Sequence, residues 1–536
     1  MPLNSYGAHV LDRMEIKQGR LSTPAEFMTG AKAYKRKSIA LYVDSLNTSG
    51  IKLSKQDYFN LSFLQTDNFE YTNAEHTQSK KPIWKTPLYK YKASLYAIRV
   101  PDLTLVFNPV AYLQAGYDQD LGKQTFVNGR GLDIRGTIGK NVAFYTQVTD
   151  EIQQVQSWNL DYYNAYRVLP GEAFLKTTAP GEYNYINATG YVAIQMGKYF
   201  DFQFGHGRNF IGNGYRSLMM SDFSRDHLFG RLNTRIWKIN YSNIWGELYD
   251  YTGTSQNRPT RRHYFATTYL NTNITRKLNI GLFQTISFDR DSGFQNNGYD
   301  WQYLNPIIFY KPIENGLNSP DKTILGADFK YNFARHFSLY GQFLLSELRV
   351  GDMLARNGWH GNKYAYQAGI KYIDVVGIQN LDLQLEYNVA RPYMYTSFRA
   401  ANAYVNYNQN MAHPMGANFK EGVMIWRYQP APKWMLTSLT IMSLVGNDTN
   451  NSNWGRDIRK SYRNLEREYG NTIGQGVRTE QVITNLVLSY MFWHNMFIEG
   501  QITYRKTTSA LPQFANQTLW GGITLRINMN QRVAHY

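Results

Sequence analysis

From about Asp102 onward, apolar and polar residues alternate with a period of two. Leu381, Leu383, Leu385, Tyr387 and Val389 alternate with Asn380, Asp382, Gln384, Glu386 and Asn388. Met496, Ile498, Gly500, Ile502 and Tyr504 alternate with Phe497, Glu499, Gln501, Thr503 and Arg505. The runs from Leu325, Phe337 and Leu519 behave alike. That period is a strand signature, with one apolar face and one carrying charges and amides. In a soluble sandwich the apolar face is the core. In a membrane barrel it meets lipid while the polar face lines the lumen.

The connections separate these readings. The pattern gives roughly 18 strands of about 9 to 14 residues, near the length that spans a bilayer. Short joins fall at Gly139-Lys140-Asn141, Gly197-Lys198-Tyr199, Lys238, Thr275-Arg276-Lys277, Ala334-Arg335-His336, Val376-Gly377-Ile378, Pro430 to Lys433 and Trp493-His494-Asn495. Between them fall long joins near 118–129, 150–187, 207–230, 252–261, 290–320, 349–362, 391–418, 447–478 and 508–514. Alternating short and long joins are the mark of an outer-membrane barrel with periplasmic turns and external loops. Phe144, Tyr199, Phe200, Trp237, Phe333, Phe337, Trp434, Phe492 and Trp493 flank the short turns, as headgroup-level girdles require. Tyr536 supplies a terminal aromatic.

The first residues follow another period. Tyr6–Gln18, Ala31–Leu46 and a run opening at Ser54, with Ser54 and Asp57 in capping positions, read as helices. Pro82 and Pro87 punctuate the exit. The predicted architecture is an all-β transmembrane barrel of about 18 antiparallel strands with a small N-terminal α-helical domain. Residues 1–87 form the periplasmic helical domain. Residues 88–536 form the outer-membrane barrel with long extracellular loops.

Composition agrees. Aromatics make up 15% of the 536 residues, with 43 Tyr and 42 Gly, while charged residues are only 18%. Mean hydropathy is −0.48, and no run of 18 apolar residues exists, so no transmembrane helix is expected. Cysteine is absent, which excludes a disulfide scaffold, a thiolate metal site and a cysteine nucleophile. The start lacks a basic n-region and an apolar h-region, and is read as that of a mature chain.

The densest motif is Phe204-Gly205-His206-Gly207-Arg208-Asn209-Phe210-Ile211-Gly212-Asn213-Gly214-Tyr215-Arg216-Ser217-Leu218-Met219-Met220-Ser221-Asp222. Its four glycines permit close backbone approach. No strand–loop–helix unit surrounds it, so it is not a phosphate loop. A loop folded into the barrel mouth would display His206, Arg208, Asn209, Asn213, Tyr215, Arg216 and Asp222. These groups suit sugar hydroxyls or acidic groups. They equally suit a lumen plug that pairs with Asp222, Asp226 and wall carboxylates. Two proline-bearing segments are further loops. One runs from Tyr303 to Glu314, with Tyr310, Lys311 and Glu314. The other runs through Arg391 and Tyr393, then Asn410 to Phe419 with His413. Their aromatic and amide content suits carbohydrate, and also suits loops packing on each other.

These segments carry a resemblance. Gly212 to Asp222 is similar to the Gly-rich pattern of the Wzi capsule-assembly family, followed by Ser-Leu and an apolar pair. Asn305 to Glu314 and Asn410 to Phe419 resemble the Bacteroidota branch of that superfamily, which includes proteins labelled gliding-motility RemB. The resemblance covers nearly the whole chain. It implies a periplasmic helical bundle, a barrel of about 18 strands and, for the enterobacterial members, a lectin-like role anchoring capsular polysaccharide. Phe210-Ile211-Gly212-Asn213 stands where that branch carries Trp-Trp-Gly-Pro.

Catalysis finds little support. The 10 His are scattered, and none pairs at metal-ligand spacing beside a carboxylate. An outer-wall Ser/His pair would have to use His263 and Ser287. Asp133, Arg135, Asp328, Lys330, Lys371, Asp382, Glu386, Glu499, Arg505 and Arg526 read as a salt-bridged lumen interior or as the lining of a pore. The 57 Lys+Arg against 40 Asp+Glu give a net charge of +17, and the bases are spread rather than clustered. Lipopolysaccharide phosphates or acidic polysaccharide fit this better than nucleic acid.

The expected function is a non-enzymatic outer-membrane barrel that binds or organises capsular or exopolysaccharide, with no cofactor and no metal. Its partners would be outer-membrane lipid, lipopolysaccharide and acidic polysaccharide. The alternatives are a subunit of an envelope protein complex serving motility, secretion or membrane assembly, and a passive porin.

Overall fold

The structure, a computed structural model, describes the whole chain except residues 1, 2, 4, 24, 25, 33, 48, 49, 73, 80–87, 174, 251–260, 291–297, 310–320, 450 and 533–536. Eighteen strands close into one antiparallel barrel. They are β1 (Leu103–Asp118), β2 (Lys123–Ile138), β3 (Val142–Gln154), β4 (Glu182–Met196), β5 (Phe200–Gly207) and β6 (His227–Ile236). Then come β7 (Ile239–Asp250), β8 (Arg261–Asn273), β9 (Leu278–Phe288), β10 (Lys322–Phe333), β11 (Phe337–Glu347) and β12 (Lys363–Tyr372). The last six are β13 (Leu381–Ala390), β14 (Phe419–Ala431), β15 (Trp434–Asn447), β16 (Val477–Trp493), β17 (Met496–Ser509) and β18 (Asn516–Ile527). β18 returns to β1, with Trp520 opposite Asp118 and Ile527 opposite Ala111. Closure leaves no unpaired edge, as a bilayer demands.

The alternation resolves in favour of the membrane reading. On β13 the polar residues are the buried ones: Asp382 is 5% and Glu386 4% exposed, against 41% for Leu385 and 43% for Tyr387. A soluble core would show the reverse. The exposed apolar face meets lipid and the polar face meets the lumen. Tyr199, Phe200, Trp237, Trp434 and Phe492 are exposed beside the short turns, where an aromatic girdle belongs. Tyr536 lies outside the described residues.

Short and long joins alternate along the barrel except at its two ends: the expected long join at 508–514 is only residues 510–515, shorter than the 373–380 join between β12 and β13. The expected long join at 118–129 is a tight turn of residues 119–122, because β1 and β2 pair continuously from Leu103–Ile138 to Asp118–Lys123. The join between β3 and β4 carries a helix, α4 (Ser157–Tyr166).

Three helices precede the barrel: α1 (Tyr6–Gln18), α2 (Arg36–Asn47) and α3 (Lys55–Asp67). Ser54 and Asp57 form the expected capping box of α3, which satisfies two orphan amides. The first turn of the second predicted helix is absent. Ala31–Lys32 is instead a short strand paired with Phe210–Ile211, so a partner remote in sequence overrides the local helical pattern.

The helices seat on the short-turn end. Leu21 N donates to Arg276 O at 2.8 Å, Ser54 Oγ to Asn380 Oδ1 at 2.7 Å, and Asn60 Nδ2 to Gln429 Oε1 at 2.8 Å. Phe63 stacks on His494 at 4.6 Å, and Met491 and Phe497 join the helices' apolar core. The lumen is salt-bridged as expected: Arg526 pairs with Glu499 at 2.8 Å within the wall, and other wall charges pair with the N-terminal segment. Arg13 contacts Asp57 at 3.1 Å, Asp374 at 2.5 Å and Asp382. Lys330 holds Asp12 and Glu15, both at 2.6 Å. Lys371 also reaches Asp12, and Arg135 reaches Glu70 at 2.6 Å.

Candidate functional site

Residues 208–226, between β5 and β6, turn into the barrel instead of standing above it. Gly212 N donates to Gly30 O at 2.8 Å, so the loop and the N-terminal segment meet inside the lumen. Gly212 has φ +142°, and a Cβ there would stand 2.4 Å from Gln342 Nε2; only glycine fits. Tyr215 N and Arg216 N donate to the Glu386 carboxylate at 2.7 and 3.0 Å. Leu218 N donates to Gln342 Oε1 at 2.8 Å. Leu218, Met219 and Met220 then pack against Ile244, Phe265, Tyr269, Phe283, Ile324 and Leu344 of the wall. The β7–β11 wall therefore carries apolar lumen-facing residues where the plug covers it.

The candidate binding residues occupy this plug and the loops over it. Arg208 Nε donates to Asp226 Oδ1 at 2.7 Å, with its other nitrogens on the carbonyls of Asp222 and Gly171. Asn209 is buried against His227 at 3.2 Å and against Arg231. Asn213 Nδ2 donates to Asp328 Oδ2 at 3.3 Å, and its Oδ1 accepts from Thr29 at 3.0 Å. Arg216 Nη2 reaches Glu421 Oε1 at 3.2 Å. His413 is buried against the same Glu421 at 2.7 Å. Because Met415 N donates to His413 Nδ1 at 3.1 Å, it is Nε2–H that donates to Glu421. Burial pulls the His413 imidazole below its ordinary range, against the opposing pull of Glu421.

Others lie apart. His206 belongs to β5 and shares its outward face with exposed Phe204. Tyr393 is buried with its hydroxyl on Asn453 O at 2.7 Å. Arg391 donates to Asn471 O at 3.4 Å, and Asn410 to Pro414 O at 2.7 Å. Tyr310, Lys311 and Glu314 lie outside the described residues. His263 and Ser287 face the lumen rather than the outer wall; they hold the carbonyls of Val405 and Ala403 at 3.0 and 3.3 Å.

A second arrangement was not legible in the sequence. Three long loops fuse into a cap over the plug. Gly470 N donates to Asn357 O at 2.8 Å and His360 N to Glu468 O at 2.8 Å. Ser461 Oγ donates to Phe398 O at 2.6 Å. On this cap, arginines lie over aromatic rings: Arg463 on Phe398 at 3.5 Å, Arg349 on Trp359 at 4.0 Å and Arg467 on Trp454 at 5.2 Å. All three arginines are exposed, as are Arg356 and Arg399. Stacking holds a guanidinium plane while its N–H edge can still donate; one nitrogen of Arg467 donates to Gln475 Oε1 at 3.2 Å. The spaced bases Arg456, Arg459, Lys460, Arg463 and Arg467 were the available signal. Their aromatic partners come from three separate loops, which no local pattern reveals.

Beside the plug lies a chamber of about 1430 Å³, against the β1–β5 and β15–β18 walls. It reaches the short-turn end at Gly139, Lys140 and Asn141, and Tyr112, Tyr145, Tyr185 and Tyr191 line it. Glu172, Arg208, Asp222, Arg225 and Asp226 stand at its other end. Arg225 pairs with Glu172 at 3.1 Å. Burial pushes the Glu172 carboxyl up to about 7, with Arg225 opposing and Glu151 adding to the rise. A raised acid favours the folded loop below its unfolded value and loses that contribution as pH climbs through about 7. Backbone amides around 168–173 are therefore expected to exchange faster at pH 8 than at pH 5.5, after correction for intrinsic rates. Glu172→Gln should remove the difference; a wild-type loop with equal protection at both values would contradict it.

The fold and the lumen define a class: a closed 18-stranded transmembrane barrel with N-terminal helices and an inserted loop plug. No protein-family model and no curated protein matches the sequence. Among solved structures the chain is similar to Wzi of Escherichia coli, described as an outer-membrane protein involved in group 1 capsule assembly and a carbohydrate-binding β-barrel. The TM-score is 0.59 at 12% identity, covering 98% of this chain and 99% of that one. OprD of Pseudomonas aeruginosa aligns at TM-score 0.44 and 11% identity, covering 80% and 93% of the two chains. OpdO of Pseudomonas aeruginosa aligns at 0.43 and 12%, covering 80% and 97%.

Proposed function

We propose that this chain is an outer-membrane barrel that binds or organises acidic surface polysaccharide through its long-loop end, without catalysis. The carrying observation is the fused cap, with exposed arginines held over aromatic rings, on a barrel similar to a carbohydrate-binding one. An acidic glycan offers carboxylates to those guanidinium edges, and charge-assisted hydrogen bonds to them are strong. In this orientation the short turns and the helices face the periplasm. The plug and its buried pairs then serve as the floor that carries the cap, and the net charge of +17 favours encounter with polyanions.

The test is titration of purified protein with polyuronate and with neutral dextran. Arg463→Ala with Arg467→Ala should weaken polyuronate binding about tenfold, and rising salt should weaken the wild type in parallel. Equal binding of dextran, or no loss in the double variant, would refute the reading. The segments resembling the Bacteroidota branch support an alternative, a subunit of an envelope machine. Co-purification of a stoichiometric envelope protein in mild detergent, with no glycan binding, would favour it.

A further inference from the structure

The outer wall of β7–β9 breaks the lipid-facing pattern. Asn243, Thr268 and Gln284 stand on its outward face, opposite to lumen-facing Ile244, Tyr269 and Phe283, and Tyr241 and Trp245 share that face. A row of amides and hydroxyls aimed at hydrocarbon would be costly. These groups are not bare. Thr268 Oγ1 donates to Asn243 Oδ1 at 3.2 Å, and residues 298–309, from the join between β9 and β10, lie along the outside of the barrel and bond Gln284, Trp245 and Tyr241.

The contacts run down the wall. At the base, Arg290 grips Asp300 at 3.0 Å and Asp321 at 2.7 Å. Tyr299 and Tyr303 cover Tyr264, Ala266, Ile286 and Phe288, which are buried although they face outward. Trp245 Nε1 donates to Tyr303 O at 3.0 Å, and Phe309 N donates to Gln284 Oε1 at 2.5 Å. At the tip, the Tyr241 hydroxyl donates to Pro306 O and accepts from Ile308 N at 2.9 Å. Tyr241 is the third residue of β7, whose last is Asp250. At the usual rise and tilt, the tip therefore reaches roughly 20–25 Å down the wall, the height of an apolar band.

Much of the segment's backbone is satisfied by protein. Gln302 N and Ile307 N are held by the side chains of Asp300 and Asn305, each at 3.1 Å. Tyr303 N and Asn305 N are held by the carbonyls of Asp300 and Gln302 at 3.0 and 3.2 Å. Irregular backbone survives in hydrocarbon only when its polar groups are satisfied by protein. On the side away from the wall the segment presents Trp301 (76% exposed), Ile307 (59%) and Phe309 (44%).

We infer that residues 298–309 form a flap embedded in the bilayer on the outside of the barrel, with Trp301, Ile307 and Phe309 in contact with lipid acyl chains. The outward Tyr241, Trp245 and Gln284 exist to hold it. This inference is independent of the glycan reading.

The test uses the absence of cysteine. Ile307→Cys carries the single thiol for a nitroxide label, in vesicles of phosphatidylethanolamine and phosphatidylglycerol. Collision with oxygen should exceed collision with a water-soluble nickel chelate several-fold. Glu468→Cys on the cap serves as the aqueous control and should show the reverse. Nickel access at position 307 equal to the control would overturn the inference, since the flap would stand in water. Low access to both reagents would also overturn it, because a protein rather than lipid would cover the site. In the same background, Tyr241→Phe with Gln284→Leu should free the label, seen as a narrowed spectrum. Heat-shifted gel mobility would show that the barrel remains folded. An unchanged spectrum in that folded variant would overturn the anchoring.

Discussion

Arg13→Met is expected to destabilise the docked helices by about 3–5 kcal/mol, the usual consequence of stranding buried charge. Arg13 is 2% exposed and is the common partner of Asp57, Asp374 and Asp382. Removing it leaves three carboxylates facing one another, with Lys17 and His9 as their remaining ion-pair partners. The measurement is the helical signal at 222 nm during urea unfolding in micelles, paired with protease access to the α1–α2 join. The helices should release at lower urea while the barrel persists. Adding Asp382→Asn to the variant should recover part of the loss, because the stranded charge falls. A midpoint unchanged by Arg13→Met would refute the network's role. The acid side gives a sign. Burial tends to raise the Asp57 carboxyl, but Arg13 and Lys17 outweigh that and hold it at about 2. Its contribution is present above its unfolded value of about 4 and is lost as pH falls towards 2. Arg13→Met should move that loss to higher pH.

Removing the plug is expected to convert a silent barrel into a conducting one. The chamber reaches the short-turn end beside Gly139–Asn141, and loop 208–226 lines its other end together with Leu169 to Glu172. Replacing residues 210–220 by a Gly-Ser linker should give persistent conductance in planar bilayers where the wild type gives none. Glu386→Leu is the milder test. It deprives Tyr215 N and Arg216 N of their acceptor, and the Tyr340 hydroxyl of its own. At about 1–3 kcal/mol per buried amide left unpaired, the plug should open intermittently and the current should flicker. A folded excision variant as silent as the wild type would show that other elements seal the lumen.

Much of the fold was legible because it is local and periodic. The β13 alternation gave a strand, and the spacing of short and long joins gave a transmembrane barrel. Ser54 and Asp57 marked a helix start three residues apart. The candidate site was legible only as composition. The Gly212–Asp222 motif announced a special backbone, but its side chains and amides are spent on Asp328, Glu386 and Glu421, residues that follow their partners in the chain by 115 to 205 positions. No spacing rule links such partners. The same holds for the cap, where Arg463 meets Phe398 across separate loops.

By itself the sequence determined strand count, most of the alternation of joins and the helical start, since each follows from backbone period and turn chemistry, while strand length ran from 8 to 17 residues against an expected length of about 9 to 14. Only the tertiary structure decided what each face of the wall meets. On β13 the alternation and the environment agree: polar inward, apolar outward. On β7–β9 they do not. Ile244, Phe265, Tyr269 and Phe283 face the lumen because the plug lies on them, and Asn243, Thr268 and Gln284 face outward because that side is covered in turn. A period-two pattern fixes that two faces differ; which one is dry depends on segments that return from elsewhere in the chain.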